Sequence, residues 1–432
     1  MPLKIIRADG VAERVQIESM RSRNTEAGQK IKEAAASIMQ DVKQNGFSAV
    51  CKYSVQFDGA EPREITRSEL DEAYAACDAT LISALEEAAR NIRSYHEQML
   101  VQSWQWEREK GAMLGQVVRG LTRVGIYVPG GTAAYPSSVL MNAVPAKVAG
   151  VEEIIMVTPP TKNLNKAVLA AAKIAGVDRV IALGGVQAIA ALTYGAGFIP
   201  KVDKIAGPGN AYVAEAKRIA YGEVDIDMVA GPSEVLVIAD DTADARCAAA
   251  DLLSQAEHDV LASAVLVTTS EALAARVSEE LDRQTALLPR KDIVQQSLSA
   301  FAAAIVCDSI EACAAIANEV APEHLEIMTE RPRDVLPLIK NAGAVFLGAY
   351  SPEPLGDYMA GPCHVLPTSG TARFFSPLST DSFLKKMSVI EYSAPCLETL
   401  ARQTVALARS EGLDAHANSI LVRFPDAGRE EV

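Results

Sequence analysis

The chain has 432 residues, of which 49% are hydrophobic, and a formal net charge of −14 at pH 7. This length is enough for two or three domains, and the negative charge argues against nucleic acid or an anionic membrane as the main partner. The seven cysteines form no CxxC pair, and the first residues, MPLKIIRADG, contain no apolar run of signal-peptide length. We therefore expect a cytoplasmic protein with free thiols and no membrane span.

The first 120 residues are predicted to be a mainly helical segment that packs with the second of two α/β units. After a strand and a loop in residues 1–20, helices are expected over 21–45, 69–77 and 81–99. The last of these helices is amphipathic and carries His96, which we interpret as a solvated histidine without a site role.

Two series in which strands and helices alternate follow, over 121–240 and 241–375, with Gly and Pro in the turns. Such alternation predicts parallel sheets covered by helices, so the fold class is α/β with two incomplete Rossmann-like units. The strands are expected at 124–128, 153–158, 179–183, 204–206, within 227–240, and at 262–268, 303–306, 325–328 and 344–347. The helices are expected at 137–149, 164–175, 186–194, 211–221, 243–260, 270–283, 309–320 and 333–340.

The C-terminal part is predicted to differ from both units. Residues 352–382 are rich in Gly, Pro, Ser and Thr and lack periodicity, which is typical of a functional loop or a linker. Residues 376–432 are expected to form a C-terminal arm, with helix over 397–422.

Glycine turns at 129–131, 183–185 and 207–209 each follow a predicted strand and precede a predicted helix. In an open α/β sheet this edge binds ligands, and helix N-termini there can hold a phosphate. Ordinary turn chemistry explains any single one of these turns equally well. Neither the GxGxxG fingerprint nor a P-loop is present, so no motif indicates a nucleotide.

Side chains that could bind a metal are spread over three regions. Gln255 and His258 are three apart in the predicted helix 243–260, so they would share one face of it. Asp357 and His364 lie in the aperiodic loop, and Glu411 and His416 lie near the C-terminus. Such nitrogen and oxygen donors suit zinc, although their spacing matches no zinc motif.

Glu323 and His324 are adjacent between a predicted helix and a predicted strand. A carboxylate beside an imidazole forms an acid–base pair that can work near neutral pH. A polar turn at a helix end is the alternative interpretation.

Several segments resemble histidinol dehydrogenases, in the same order and from about residue 20 to the end. They are GIYVPGGTAAYPSSVLMNAVPAKVAGV, GPGNAYVAEAKR, DMVAGPSEVLVIAD, DLLSQAEHD, APEHLE, LGDYMAGPCHVLPTSGTARF and EGLDAHA. The resemblance implies an NAD-linked oxidoreductase that converts L-histidinol through L-histidinaldehyde to L-histidine, in the last steps of histidine biosynthesis.

The resemblance also implies roles for single residues. One zinc ion per subunit would be held by Gln255, His258, Asp357 and His416. His416 would come from the partner in a homodimer whose C-terminal arm is domain-swapped. Glu323 and His324 would be catalytic. The implied NAD contacts are Tyr127, Gln187 and Asn210, and the implied substrate contacts are Ser233, Gln255, His258, His324, Asp357, His364, Glu411 and His416.

Two positions depart from the family pattern, because Cys363 stands where Asn is expected and Phe375 replaces a small residue. Two alternatives also stay open. One is a paralogue that oxidises another small alcohol, such as a sulfonated diol, although Ser233 and Glu411 are retained. The other is an α/β binding protein without activity, although the Glu323–His324 pair is retained.

Overall fold

The structure is a computed structural model that describes residues 3–24, 28–130, 135–160 and 164–424. The chain forms two compact units. The main unit comprises residues 1–100 and 121–383, and the small unit comprises 101–120 and 384–432. Among the described residues, none of the helices is both long enough and apolar enough to cross a membrane.

The strands and α-helices are numbered here in chain order. The strands are β1 (Ile5–Arg7), β2 (Arg63–Ile65), β3 (Trp104–Glu109), β4 (Ala112–Gly120), β5 (Arg123–Tyr127), β6 (Glu153–Thr158), β7 (Arg179–Ala182), β8 (Lys204–Ala206), β9 (Asp225–Ile226), β10 (Glu234–Ala239), β11 (Ser263–Thr268), β12 (Ala303–Val306), β13 (His324–Met328), β14 (Ala344–Leu347) and β15 (Leu384–Tyr392). The helices are α1 (Ala12–Arg21), α2 (Gly28–Asn45), α3 (Phe47–Asp58), α4 (Arg67–Ala75), α5 (Ala79–Glu97), α6 (Pro136–Val148), α7 (Lys166–Ala175), α8 (Gly185–Tyr194), α9 (Ala211–Ala220), α10 (Ala245–Ala256), α11 (Glu271–Thr285), α12 (Lys291–Phe301), α13 (Ile310–Val320), α14 (Pro332–Val335), α15 (Glu353–Tyr358), α16 (Ala394–Ser410) and α17 (Asp414–Leu421).

The first sheet of the main unit has six strands in the order β2-β7-β6-β5-β8-β9. Its strands are parallel except for β2, which pairs antiparallel with β7. The central strands β5 and β6 are almost wholly buried, as expected for a parallel sheet with helices on both faces. After β8, Gly207 has a φ of +109°, and a Cβ there would overlap the carbonyl oxygen of Tyr127. This turn therefore requires glycine.

The second sheet of the main unit has six parallel strands in the order β1-β12-β11-β10-β13-β14. Strands β10, β11 and β13 are buried along their whole length, and apolar side chains pack on both faces of the sheet. The two parallel sheets confirm the predicted α/β class with two Rossmann-like units.

The N-terminal segment divides between the two sheets, which differs from the expected packing on the second unit alone. β1 is an edge strand of the second sheet, and α1 packs beside it. Helices α2 and α3 pack against α8 and α9 of the first sheet, whereas α4 and α5 pack against α6 and α7. Buried apolar positions on α2 and α3, such as Met39 and Val50, belong to the core of the first sheet.

The small unit consists of an antiparallel sheet and two helices. The sheet has the order β15-β4-β3, and the helices α16 and α17 pack together through Val405, Ala408 and Ala417. The predicted boundaries differ from this arrangement, because residues 101–120 join the C-terminal residues in one unit through the β15–β4 pairing. The predicted helix over 397–422 is present as α16 and α17.

Several local predictions were wrong. Residues 1–20 contain helix α1 besides a strand, and helix α12 was not predicted. The loop over 352–382 contains α15. His96 is only 1% exposed, and burial lowers its pKa to about 4, so it is not a solvated histidine. His96 is the buried residue in the last turn of α5, and the buried Thr380 donates a hydrogen bond of 3.1 Å to its carbonyl oxygen.

Candidate active site

A cavity of about 320 Å³ lies between the carboxyl edge of the first sheet and the amino edge of the second. The first sheet contributes Pro129 after β5 and residues 207–209 after β8. The second contributes residues that stand just before or at the start of strands β10 and β13. The predicted site residues that line this cavity are Ser233, Gln255, His258, Glu323, His324, Asp357 and His364.

The Glu323–His324 pair is held at the start of β13. Helix α13 ends at Ala321, which has a φ of +52°, and the chain turns there into the strand. The Glu323 carboxylate accepts hydrogen bonds from the peptide N–H of Glu234 at 2.9 Å and from Gln255 Nε2 at 3.5 Å. His324 Nδ1 lies 3.1 Å from the carbonyl oxygen of Glu234 and 3.6 Å from Glu323 Oε2.

Burial and charge shift the proton affinity of both groups in this pair. Burial raises the pKa of Glu323 to about 8. Burial alone would lower the pKa of His324, but the nearby carboxylates of Glu323, Asp357 and Glu353 raise it to about 10. The pair therefore holds protons more tightly than the same groups would in water.

His258, Glu353 and Asp357 form a candidate metal-binding group, with one ligand atom from each lying within 4.8 Å of the others. Glu353 and Asp357 are four apart in α15, so they share a face of the helix. Glu353 is buried and accepts a hydrogen bond of 2.9 Å from Ser254 Oγ. Burial and the charge of Asp357 raise the pKa of Glu353 to about 7.

Gln255 and His258 do not share a helical face, so that prediction was wrong. Helix α10 ends at Ala256, and His258 lies in the following turn, where its peptide N–H donates to the Gln255 carbonyl oxygen at 3.1 Å. Both side chains nevertheless line the cavity. In the described part of the chain the buried Gln255 Oε1 has no hydrogen-bond partner, and burial lowers the pKa of His258. A free amide oxygen and a neutral imidazole are suitable metal donors.

His364 lies on the same side of the cavity as Asp357. Its Nδ1 is 3.9 Å from Asp357 Oδ1 and its Nε2 is 3.2 Å from Ser138 Oγ. The neighbouring Cys363 is buried, and its thiol donates to the Met141 carbonyl oxygen at 3.2 Å. Cys363, which departs from the family pattern, therefore contacts Met141, whereas Phe375 is exposed beside Phe374.

Tyr127, Gln187 and Asn210 lie on the carboxyl edge of the first sheet but do not line the 320 Å³ cavity. The Tyr127 hydroxyl accepts a hydrogen bond of 3.2 Å from the Gly185 N–H. Gln187 Nε2 donates to an Asp58 carboxylate oxygen at 3.2 Å, while the buried Gln187 Oε1 has no hydrogen-bond partner among the described residues. Asn210 caps α9 with its side-chain oxygen.

Glu411 and His416 belong to the small unit. Glu411 is the C-terminal cap of α16, and His416 is an exposed residue of α17.

Glu353 was not predicted from the sequence, although its four-residue spacing from Asp357 was a signal that could have identified it. Glu234 and Arg23, whose side chains form a buried ion pair of 2.5 Å behind Glu323, were not predicted either. Glu234 stands next to the predicted substrate contact Ser233, but no sequence pattern pointed to Arg23.

Comparison with known proteins gives a consistent result. The sequence family described as histidinol dehydrogenase matches residues 21–424. The chain is 52% identical over 426 residues to a histidinol dehydrogenase of Clostridium acetobutylicum, covering 98% of this chain and 99% of that protein. It is 52% identical over 416 residues to one of Bacillus subtilis, covering 95% and 97%. The fold is similar to the crystal structure of histidinol dehydrogenase from Elizabethkingia anophelis, with a TM-score of 0.92, 37% identity and 99% coverage of both chains.

Proposed function

The chain belongs to the histidinol dehydrogenase family and is an oxidoreductase, and from this premise we propose that it carries out the zinc-dependent, NAD-linked oxidation of L-histidinol to L-histidine. The reaction would pass through L-histidinaldehyde and remove four electrons. The main support is the 320 Å³ cavity, which brings Glu323 and His324 together with the donors Gln255, His258 and Asp357.

The side chains at the cavity fit a zinc ion. His258 and Asp357 lie close enough to share a cation, and the buried Gln255 oxygen is without a hydrogen-bond partner in the described residues. These three residues, with His416 of the partner subunit, would hold the metal. Zinc would anchor the imidazole and amine nitrogens of histidinol and so orient its alcohol.

NAD would accept the hydride in each oxidation. Tyr127, Gln187 and Asn210 would bind it along the carboxyl edge of the first sheet, where α8 and α9 also begin. The unpartnered and buried Gln187 Oε1, judged over the described residues, supports a ligand at this edge.

His324 would accept the hydroxyl proton of histidinol as the hydride leaves its carbon, which gives the aldehyde. Glu323 would then remove a proton from the water that attacks the aldehyde carbon. The resulting hydrate would give a second hydride to a second NAD and its hydroxyl proton to His324, once His324 has released the first proton to solvent, and the product would be a carboxylate. Keeping both residues in one cavity retains the reactive aldehyde between the two steps.

The charge of Asp357 contributes to the raised pKa of both Glu323 and His324. A divalent cation held by Asp357 would oppose that charge and bring each pKa closer to neutral. Both residues could then accept protons at the pH of the cytoplasm, which is where we place the reaction.

The complete site would need two subunits. We propose a homodimer in which the C-terminal arm is exchanged, so that Glu411 and His416 of the partner subunit contact the substrate and the metal. Both residues belong to the small unit, whereas the residues that line the cavity belong to the main unit.

Turnover of L-histidinol compared with a panel of small alcohols, including a sulfonated diol, tests the proposed substrate. We expect NAD reduction with L-histidinol and little with the others. Preferred turnover of another alcohol would mean that the substrate is misassigned, because a site built to pair polar substrate groups rejects analogues that lack them.

A further inference from the structure

A single residue, Glu234, contacts both members of the acid–base pair through its backbone. Its peptide N–H donates to Glu323 Oε2 at 2.9 Å, and its carbonyl oxygen lies 3.1 Å from His324 Nδ1. Both contacts join the backbone of Glu234 to side chains at the start of β13, next to the first paired residues, Val235 and His324. Any movement of the Glu234 backbone would therefore move a carboxylate and an imidazole together.

The Glu234 side chain points to a second buried charge. Glu234 Oε1 lies 2.5 Å from Arg23 Nη2, and the two side chains are only 5% and 1% exposed. Arg23 is fixed in turn, because its Nε donates to the Met20 carbonyl oxygen and its Nη1 to the Leu261 carbonyl oxygen, each at 2.6 Å. Its guanidinium also lies 5.4 Å from the ring centre of Phe301.

We propose that Arg23 and Glu234 are positioning residues for the acid–base pair, so that their ion pair sets where Glu323 and His324 stand relative to the substrate. This inference rests on the proposed function and extends it to two residues that do not line the cavity. Neither residue is a predicted metal ligand, and Arg23 does not line the cavity.

The geometry favours a positioning role over a purely structural one. The guanidinium uses three nitrogens on three partners from separate parts of the chain, and one of these partners is the residue whose backbone holds the pair. Without Arg23, Glu234 would be a buried carboxylate lacking its cation and would have to shift or take up a proton. Either change acts on the Glu234 backbone, whose N–H and carbonyl oxygen contact Glu323 and His324.

The test is a set of full-length dimeric, zinc-loaded variants: Arg23→Met, Arg23→Lys and Glu234→Gln. Val277→Ala is the control, because Val277 is fully buried in the core of the second sheet away from the cavity. For each variant we would measure kcat and KM with L-histidinol and with L-histidinaldehyde, the zinc content and the melting temperature.

We expect Arg23→Met to lower kcat about 10²-fold for both substrates, because a displacement of about 1 Å at a catalytic group has this effect. KM and zinc content should stay near the parental values. Arg23→Lys keeps the charge, so its kcat should be about tenfold higher than that of Arg23→Met. If Arg23→Met does not fold, Glu234→Gln carries the test with an expected loss of about tenfold in kcat.

Variants that melt earlier, as Val277→Ala does, but keep parental kcat for both substrates would overturn the positioning role. A parent enzyme that does not oxidise L-histidinol would overturn the proposed function, and this inference with it. An active parent with unaffected variants would overturn this inference alone.

Discussion

The two parallel sheets of the main unit present opposite edges to the cavity. The first sheet presents its carboxyl edge, where glycine turns and the starts of α8 and α9 supply backbone groups. The second presents its amino edge, where buried charged side chains such as Glu234, Glu323 and His324 begin the strands. Under the proposed function this difference is a division of labour, in which backbone groups at the first edge would bind the cofactor and charged side chains at the second would perform the chemistry.

Two buried carboxyl groups at the second sheet lie side by side. Glu326 and Asp251 lie in contact behind the cavity, and burial followed by the charge of Asp251 raises the pKa of Glu326 to about 9. Such a pair is stable when the two carboxyl groups share a proton. In the first sheet, the fully buried Lys217 is instead paired with Asp227 and bonded to the Gly207 carbonyl oxygen.

Removing the imidazole at the edge of the second sheet should have the largest effect. We expect His324→Ala to lower kcat by about 10²- to 10⁴-fold, the usual contribution of a general base, while zinc stays bound. Steady-state kinetics and metal analysis check this, with His258→Ala as the contrasting variant that should lose zinc. Loss of zinc from His324→Ala would mean that the ligand and base roles are exchanged.

Glu323→Gln should separate the two oxidations. The side chain keeps its size but cannot take a proton from water, so we expect aldehyde oxidation to fall about 10²- to 10³-fold while alcohol oxidation continues. Trapping of the aldehyde with a carbonyl reagent would show its release. Equal loss of both steps would contradict the assignment of Glu323 to the second step.

Mixing two inactive variants tests whether the metal site at the edge of the second sheet includes a residue of the partner subunit. His258→Ala and His416→Ala chains, reassorted into dimers, should recover about one quarter of the parental activity. About half of such dimers are mixed, and each mixed dimer holds one intact site. Homodimers of either variant are the controls, and mixtures no more active than these would indicate sites built within one chain.

A substitution that crowds the backbone at the edge of the first sheet should lower stability and weaken NAD binding. Gly207→Ala places a Cβ against the Tyr127 carbonyl oxygen, so we expect a loss of about 1–3 kcal/mol in the free energy of unfolding and a higher KM for NAD. Gly222→Ala is the matched control, since Gly222 has a φ of +102° but no atom within 4 Å of an added Cβ. Denaturant unfolding and NAD titration compare the two, and equal effects would mean that the close approach to Tyr127 is unimportant.

An effect on the pH dependence of stability, rather than on activity, is expected at His96, whose folded pKa of about 4 is below the ordinary 6.5. Between these values the unfolded chain binds the proton first, so the stability from neutral His96 is complete above about pH 6.5 and is lost as the pH falls towards 4. His96→Leu should reduce the slope of unfolding free energy against pH by up to ~1.4 kcal/mol per unit. An unchanged slope in denaturant unfolding series would show that His96 is protonated at its ordinary pKa.

The alternating pattern after residue 121 predicted the sheets well, because buried parallel strands such as Glu153–Thr158 form continuous apolar runs bounded by Gly and Pro. The β15–β4 pairing was not predictable in this way, since it joins an exposed strand to a half-buried strand that is far away in sequence. His96 was misjudged although it lies four residues after Ile92 on the buried face of its own helix, because the neighbouring Tyr95, which is exposed, was assigned to that face instead.

The site was predicted in a different way. The resemblance to a family named Glu323, His324 and the metal donors, and the structure places Gln255, His258 and Asp357 around one cavity. The spacing argument for Gln255 and His258 was wrong, because the helix ends between them. Arg23 could not be found from sequence, since its contacts with Leu261 and Glu234 span more than two hundred residues.

The most direct test is the number of NADH molecules formed for each L-histidinol consumed to completion by the zinc-loaded protein. Two oxidations in one cavity predict two NADH and L-histidine as the product. One NADH with accumulated L-histidinaldehyde, or none, would contradict the proposed four-electron oxidation in one cavity.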